Sequence, residues 1–199
     1  FVFLGLASVS LIGVTGAVLI MVAHALLAAL EYALSGHVYR QTGTLDLSRM
    51  GGLMRTMPFV GAALVTAMLA GCGVPGFASF AGELTVMFGV WPELPWYVVS
   101  AAWGGLAIGG VYMLRAIRQV AHGPAAEAMT PGVDVTWSGR VPFLVLLVPL
   151  ILFGVAPYSL VNRIRPSVAL VVQRARPVPV TAPAPATAAV AAVPAPPAH

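Results

Sequence analysis

Apolar positions run in long unbroken blocks along this chain, and the polar residues gather in a few short stretches between them. Residues 1–10 are apolar and read as the tail of a helix, and GVTG at Gly13 to Gly16 predicts a turn. Residues 16–38 carry AVLIMVAHALLAALEYALSGHV, long enough for one bilayer crossing, since about 20 residues at about 1.5 Å each span the hydrocarbon. Residues 39–57 form a polar connection with Arg40, Arg49 and Arg55 against Asp46. Pro58 then suits the first turn of a new helix, where its missing N–H costs nothing. The apolar run 59–69 reaches a helix-breaking cluster at Gly71, Gly73, Pro75 and Gly76, and the segment 77–91 bearing Glu83 follows, closed by Trp91, Pro92 and Pro95. Residues 96–119 predict another crossing, with Gly104, Gly105, Gly109 and Gly110 permitting close helix approach. A Gly/Pro-containing loop spans 121–139, and 141–160 is a last apolar span without an ionisable group, expected to be structural or lipid-facing. Arg163, Arg165, Arg174 and Arg176 then precede a Pro/Ala run of low complexity. The chain therefore divides into a transmembrane part, 1–163, and a disordered tail, 164–199.

Composition supports the membrane reading. Apolar residues make up 59% of the chain, charged residues 8%, and mean hydropathy is +0.94, against roughly 45–50% apolar and about 25% charged in a soluble domain. All ten basic residues are Arg and stand at segment ends, which fits interface anchoring and not a nucleic-acid face. Cys72 is the only cysteine, so no internal disulfide or cysteine metal cluster forms, and it reads as packing. The chain starts at Phe1 without Met, basic n-region or cleavage site, and reads as part of a longer protein. With three crossings between them, the 39–57 and 121–139 loops are expected on opposite faces. The C-terminal arginines then fall on the side of the first loop, which the arginine tally makes cytoplasmic.

Three ionisable residues lie inside the apolar blocks. Glu83 follows the Gly/Pro break and, on a helix starting near Pro75, sits about 12 Å along it. Burial penalises its charged form and a nearby cation favours it, so moving one charge loads or unloads a proton. The competing reading is a structural acid held by one fixed partner. His24 and Glu31 are seven residues apart, returning to nearly one helix face, about 10 Å apart along the axis. A charge there facing lipid costs about 3 kcal/mol, so the pair is expected to face the bundle interior. His24 suits a relay because imidazole donates and accepts at once; a neutral histidine bridging two helices is the alternative. Glu31 is either a second proton station or the partner of an arginine elsewhere. Thr15, Ser35, Thr66, Ser79 and Thr85 are able to line a hydrated path or pack as helix hydroxyls. His37 near the helix end and His122 in a loop do not match His24 in depth, which argues against haem. No phosphate loop, Ser/His/Asp array or Cys/His metal spacing occurs, so no covalent chemistry, cofactor or metal is expected in this chain.

The runs GAVLIMVAHALLAAL, SGHVYRQTGTLDLSRMGGLMRTMP and GVPGFASFAGELTVMFGVW, in this order and spacing, resemble the antiporter-like, proton-pumping membrane subunit of respiratory complex I, the M (chain 4) type of NADH-quinone oxidoreductase. The resemblance covers about residues 1–123. It implies an all-α bundle of about fourteen transmembrane helices with two inverted five-helix repeats, each holding a broken helix and a central ionisable residue. This chain would supply most of the second repeat, broken near Pro75, and the final helix. Residue by residue, His24 matches the family's intramembrane histidine and Glu83 its terminal acid, where sister subunits place lysine. Gly43 stands where the family often has a histidine, Glu31 where an apolar residue is expected, and the first repeat, with its Glu and Lys pair, is not in this chain.

The resemblance implies proton translocation through Glu83, His24 and Glu31 in a multi-pass protein of the cell inner (plasma) membrane, coupled to quinone reduction in other subunits. Its partners would be other membrane subunits and the lipid bilayer, without nucleic acid, direct NADH binding or quinone contact, and this chain alone is not expected to pump. Two alternatives stay open: a subunit of a multisubunit Na⁺/H⁺ antiporter or membrane-bound hydrogenase, and a truncated, non-pumping scaffold.

Overall fold

The computed structural model describes residues 1–47, 50–123 and 134–175, and the regular structure among them is entirely helical. The helices are α1 (Val2–Ala7), α2 (Leu11–Thr42), α3 (Leu53–Thr56), α4 (Pro58–Gly71), α5 (Ala78–Val90), α6 (Trp96–His122), α7 (Trp137–Val155) and α8 (Tyr158–Ala175). The all-α polytopic class is as expected, and α2, α6 and α7 are long and apolar enough to cross a membrane.

The turn expected at Gly13 to Gly16 lies earlier, at Ser8 to Ser10, where Val9 takes a φ of 44°. Ser10 caps α2: its Oγ accepts the Gly13 N–H at 2.9 Å and donates to the Gly89 carbonyl at 3.0 Å. Gly13 and Gly16 are helical and serve contact instead. A Cβ on Gly89 would overlap the Gly13 backbone, and one on Gly16 would lie 2.6 Å from the Val86 nitrogen. Their small size lets α2 and α5 approach backbone to backbone.

α4 and α5 hold 14 and 13 residues, about 21 and 20 Å, each too short for a hydrocarbon layer of about 30 Å. They lie end to end along α2. Gly71 stands beside Leu27 and Glu31, Gly82 beside Ile20, and Gly89 beside Gly13. The two helices are therefore one discontinuous crossing, antiparallel to α2 and interrupted around Pro75 as expected. The break ends α4 in a Schellman motif. Gly73, at φ +69°, donates to the Ala70 carbonyl, and Val74 donates to that of Leu69, both at 3.3 Å.

One crossing fewer reverses the expected sidedness. Val120, near the end of α6, packs in one apolar cluster with Met50, Leu53 and Met57, so the loop after α2 and the end of α6 share a face. α8 packs Val168 and Val172 on Val14 at the other end of α2, on the opposite face. Arg40, Arg55, Arg115, Arg118 and Arg140 therefore lie toward one side, and Arg163, Arg165 and Arg174 toward the other. The C-terminal arginines do not share the first loop's side.

The core is the α2 stripe Leu27, Leu30, Leu34 and Val38 with Leu53 and Met57, Val60 and Ala67 of α4, and Phe143 and Leu150 of α7. α7 is thus packed on one side, while Val145, Val148 and Val155 are exposed on the other. Its start is pinned by Asp134, whose carboxylate accepts the Phe59 and Val60 N–H groups at 2.9 and 3.4 Å, capping α4 from a distant segment. Arg140 lies 4.0 Å from Asp134 and 4.8 Å over the Phe59 ring. The boundary expected at 163 falls inside α8: Val168 and Val172, one turn apart, give residues 164–175 an apolar stripe to bury. The Pro/Ala run, Arg176, Arg49 and most of the 121–139 loop lie outside the described residues.

Candidate functional site

Glu83 sits in the second turn of α5, about 7.5 Å from its start, closer to the break than a helix beginning at Pro75 would put it. Helical side chains lean toward the N-terminus, and Glu83 reaches back to the break. A Cβ on Gly73 would overlap its Oε2, so this glycine supplies both the left-handed turn and the space for the carboxylate. Glu83 Oε2 is buried and has no hydrogen-bond partner among the described residues.

Glu31 comes to the same break from α2. Its Oε1 lies 3.6 Å from where a Gly71 Cβ would stand, beside Leu27 and Met113. The two acids, 52 positions apart in sequence, therefore flank Gly71, Cys72 and Gly73. Cys72 lies within electrostatic reach of both, and its Sγ donates to the Met68 carbonyl at 3.1 Å. Glu31 also lines a cavity of about 280 Å³ with Ser35, Met68 and Met113 that extends to Leu45 and Met50 of the loop after α2.

His24 is not brought into this interior. It is exposed, while Glu31 is partly buried and Val38, on the same stripe, fully so. α4 and α7 cover the far end of that face, and no described helix covers the end that holds His24. His24 lies within electrostatic reach of Glu31, and among the described residues the expected interior stripe is covered from Glu31 onward and uncovered at His24. Of the hydroxyls, Thr15, Thr66 and Thr85 donate to the carbonyl four residues back in their own helices, at 2.6, 2.8 and 2.6 Å. Only Ser35 among the five opens on the Glu31 cavity. The His37 and Phe143 rings meet edge to face with centroids 6.5 Å apart, and His37 Nε2 is buried and unpartnered among the described residues.

Sequence reasoning missed the glycines as seats for the carboxylates and Asp134 as a cap. The first had a signal, the Gly-Cys-Gly run ahead of Pro75 at the depth of Glu31. The second had none, because Asp134 and Phe59 are far apart in the chain.

The profile of the family described as NADH:quinone oxidoreductase/Mrp antiporter, TM, matches residues 1–109. The chain is 34% identical over 170 residues to NAD(P)H-quinone oxidoreductase chain 4 1 of Synechococcus sp. (strain JA-2-3B'a(2-13)), covering 79% of this chain and 31% of that protein. It is 34% identical over 163 residues to NADH-quinone oxidoreductase subunit M of Pseudomonas aeruginosa, covering 81% and 31%. The chain thus spans about a third of the length of these relatives. A chain of respiratory complex I from Thermus thermophilus with bound NADH superimposes with a TM-score of 0.76 at 26% identity, over 86% of this chain and 36% of that one. Broken crossing, small-residue contact and sequence match agree: the chain is a multi-pass membrane protein belonging to the NADH:quinone oxidoreductase/Mrp antiporter transmembrane family.

Proposed function

We propose that this chain is the C-terminal portion of a proton-translocating, M-type subunit of an NADH-quinone oxidoreductase in the inner membrane. The observation that carries this reading is the pair of carboxylates flanking one helix break, with Glu83 Oε2 buried and without a hydrogen-bond partner among the described residues. A carboxylate without a committed hydrogen bond changes proton occupancy when a neighbouring charge moves. Glu83 exchanges the transported proton, Glu31 receives it from or delivers it to the other side of the break, and His24 joins them to whatever covers its face of α2. Redox chemistry takes place in other subunits, and this chain binds no cofactor, NADH or quinone. The names of the curated relatives favour this reading over a Na⁺/H⁺ antiporter subunit.

The test is proton pumping per NADH oxidised by the complete complex carrying Glu83→Gln. A loss of about tenfold, equivalent to about 1.4 kcal/mol in the transfer barrier, is expected. Unchanged pumping in a fully assembled complex would overturn the role given to Glu83.

A further inference from the structure

One face of α6 carries a pattern that proton transfer does not use. Ile108, Val111, Tyr112, Arg115, Gln119 and His122 recur at three- and four-residue steps and form one stripe along the helix. Its deeper half is an apolar groove of about 360 Å³ lined by Ala107, Ile108, Val111, Tyr112 and Arg115. Its outer half is a polar cavity of about 440 Å³ lined by Arg115, Arg118, Gln119, His122 and Gly123. Arg115 lines both, so groove and cavity adjoin at its side chain.

This face is open. Ile108, Val111 and Tyr112 are 69%, 55% and 60% exposed, and Arg115 and Arg118 make no ion pair among the described residues. From Ile108 to His122 the stripe is about 21 Å long, about one leaflet of hydrocarbon, near 15 Å, plus its headgroup layer. The opposite end of α6 has exposed Trp96 and Tyr97, with exposed Trp91 at the nearby end of α5, and these rings suit the other interface. The cationic end lies on the arginine-rich side, where basic pockets at helix ends recognise anionic headgroups.

We propose that this stripe is a binding site for one anionic phospholipid. Arg115, Arg118 and His122 would hold the headgroup phosphate, and the groove at Ile108 and Val111 an acyl chain. A zwitterionic lipid brings its own cation to the phosphate and gains less from the two guanidinium groups.

The test uses the complete, detergent-solubilised complex with phosphatidylglycerol carrying a photoactivatable acyl chain. The expected result is labelling at residues 107–112, several-fold stronger than with the matching phosphatidylcholine probe and unaffected by millimolar inorganic phosphate. The triple change Arg115→Gln, Arg118→Gln and His122→Gln should lower phosphatidylglycerol labelling to the phosphatidylcholine level, and the double change Arg115→Lys and Arg118→Lys should retain most of it. Equal labelling by both lipids in the unaltered complex would overturn the proposal. So would no labelling of α6, which would mean that another part of the complete complex covers the stripe. Both outcomes are read without any variant, so an assembly defect in the triple change does not shelter the idea.

Discussion

α5 meets α2 through backbone, with Gly89 against Gly13, Gly82 against Ile20 and Gly16 against Val86, whereas α4 meets the same helix through side chains such as Val60, Ala67, Leu30 and Leu34. A glycine contact leaves no flexible atoms to yield, so the α5 half is held in one register. Beside the α4 half is a cavity of about 280 Å³ walled in part by Met50, Met68 and Met113, side chains with several soft torsions. The two carboxylates inherit this difference. Glu83 rides on the fixed half and has its place set by Gly73, while Glu31 faces the half where side chains can rearrange. One discontinuous crossing thus combines a rigid seat with a compliant one.

The strongest way to break the comparison is Gly89→Leu. Its side chain would have to enter the Gly13 backbone, at or above the upper end of the roughly 1–3 kcal/mol of overpacking, and assembled complex on a native gel should be lost. Ser35→Leu, which points into the cavity, should assemble normally; equal yields from the two would end the distinction. Gly73→Ala comes next. It imposes about 1–2 kcal/mol of backbone strain and places a methyl group where Glu83 Oε2 lies, so pumping per NADH should fall about fivefold, near 1 kcal/mol, in an assembled complex. The smallest effect is expected for Glu31→Gln, about twofold or near 0.4 kcal/mol, because the compliant side can rehydrate around a neutral amide. A loss at Glu31 as large as that for Glu83→Gln would make the two seats equivalent.

Much of this arrangement was legible in the sequence because it rests on local rules. Pro58, the Gly/Pro cluster and Trp91 to Pro95 punctuate the helices where they stand, and an acid beside a break marks Glu83. The rest depended on tertiary contact. A Gly-rich run reads equally as a turn or as a close approach, and only the partner helix decides between them for Gly13 and Gly16. The runs 59–69 and 77–91 read as separate crossings although each falls short of the bilayer; their stacking along α2 makes them one. The periodicity that joins His24 to Glu31 is real, but it says nothing of which neighbour covers each turn. Pro166 and the arginines disguised α8 as the start of a tail, against the weaker signal of Val168 and Val172 one turn apart.

The short halves of the broken crossing also bear on how the chain enters the membrane. Neither α4 nor α5 is long enough to partition as an independent span, so residues 58–90 have to be delivered as one unit, with the break carried to mid-depth. Its backbone groups would cost several kcal/mol each if bare to lipid. The Schellman bonds at Gly73 and Val74 answer for the carbonyls of Leu69 and Ala70 before any neighbour arrives, so the interruption travels inward already closed at the α4 end. What remains to be shielded is the α5 side, and α2, inserted just ahead of it in the chain, offers the glycine face that fits.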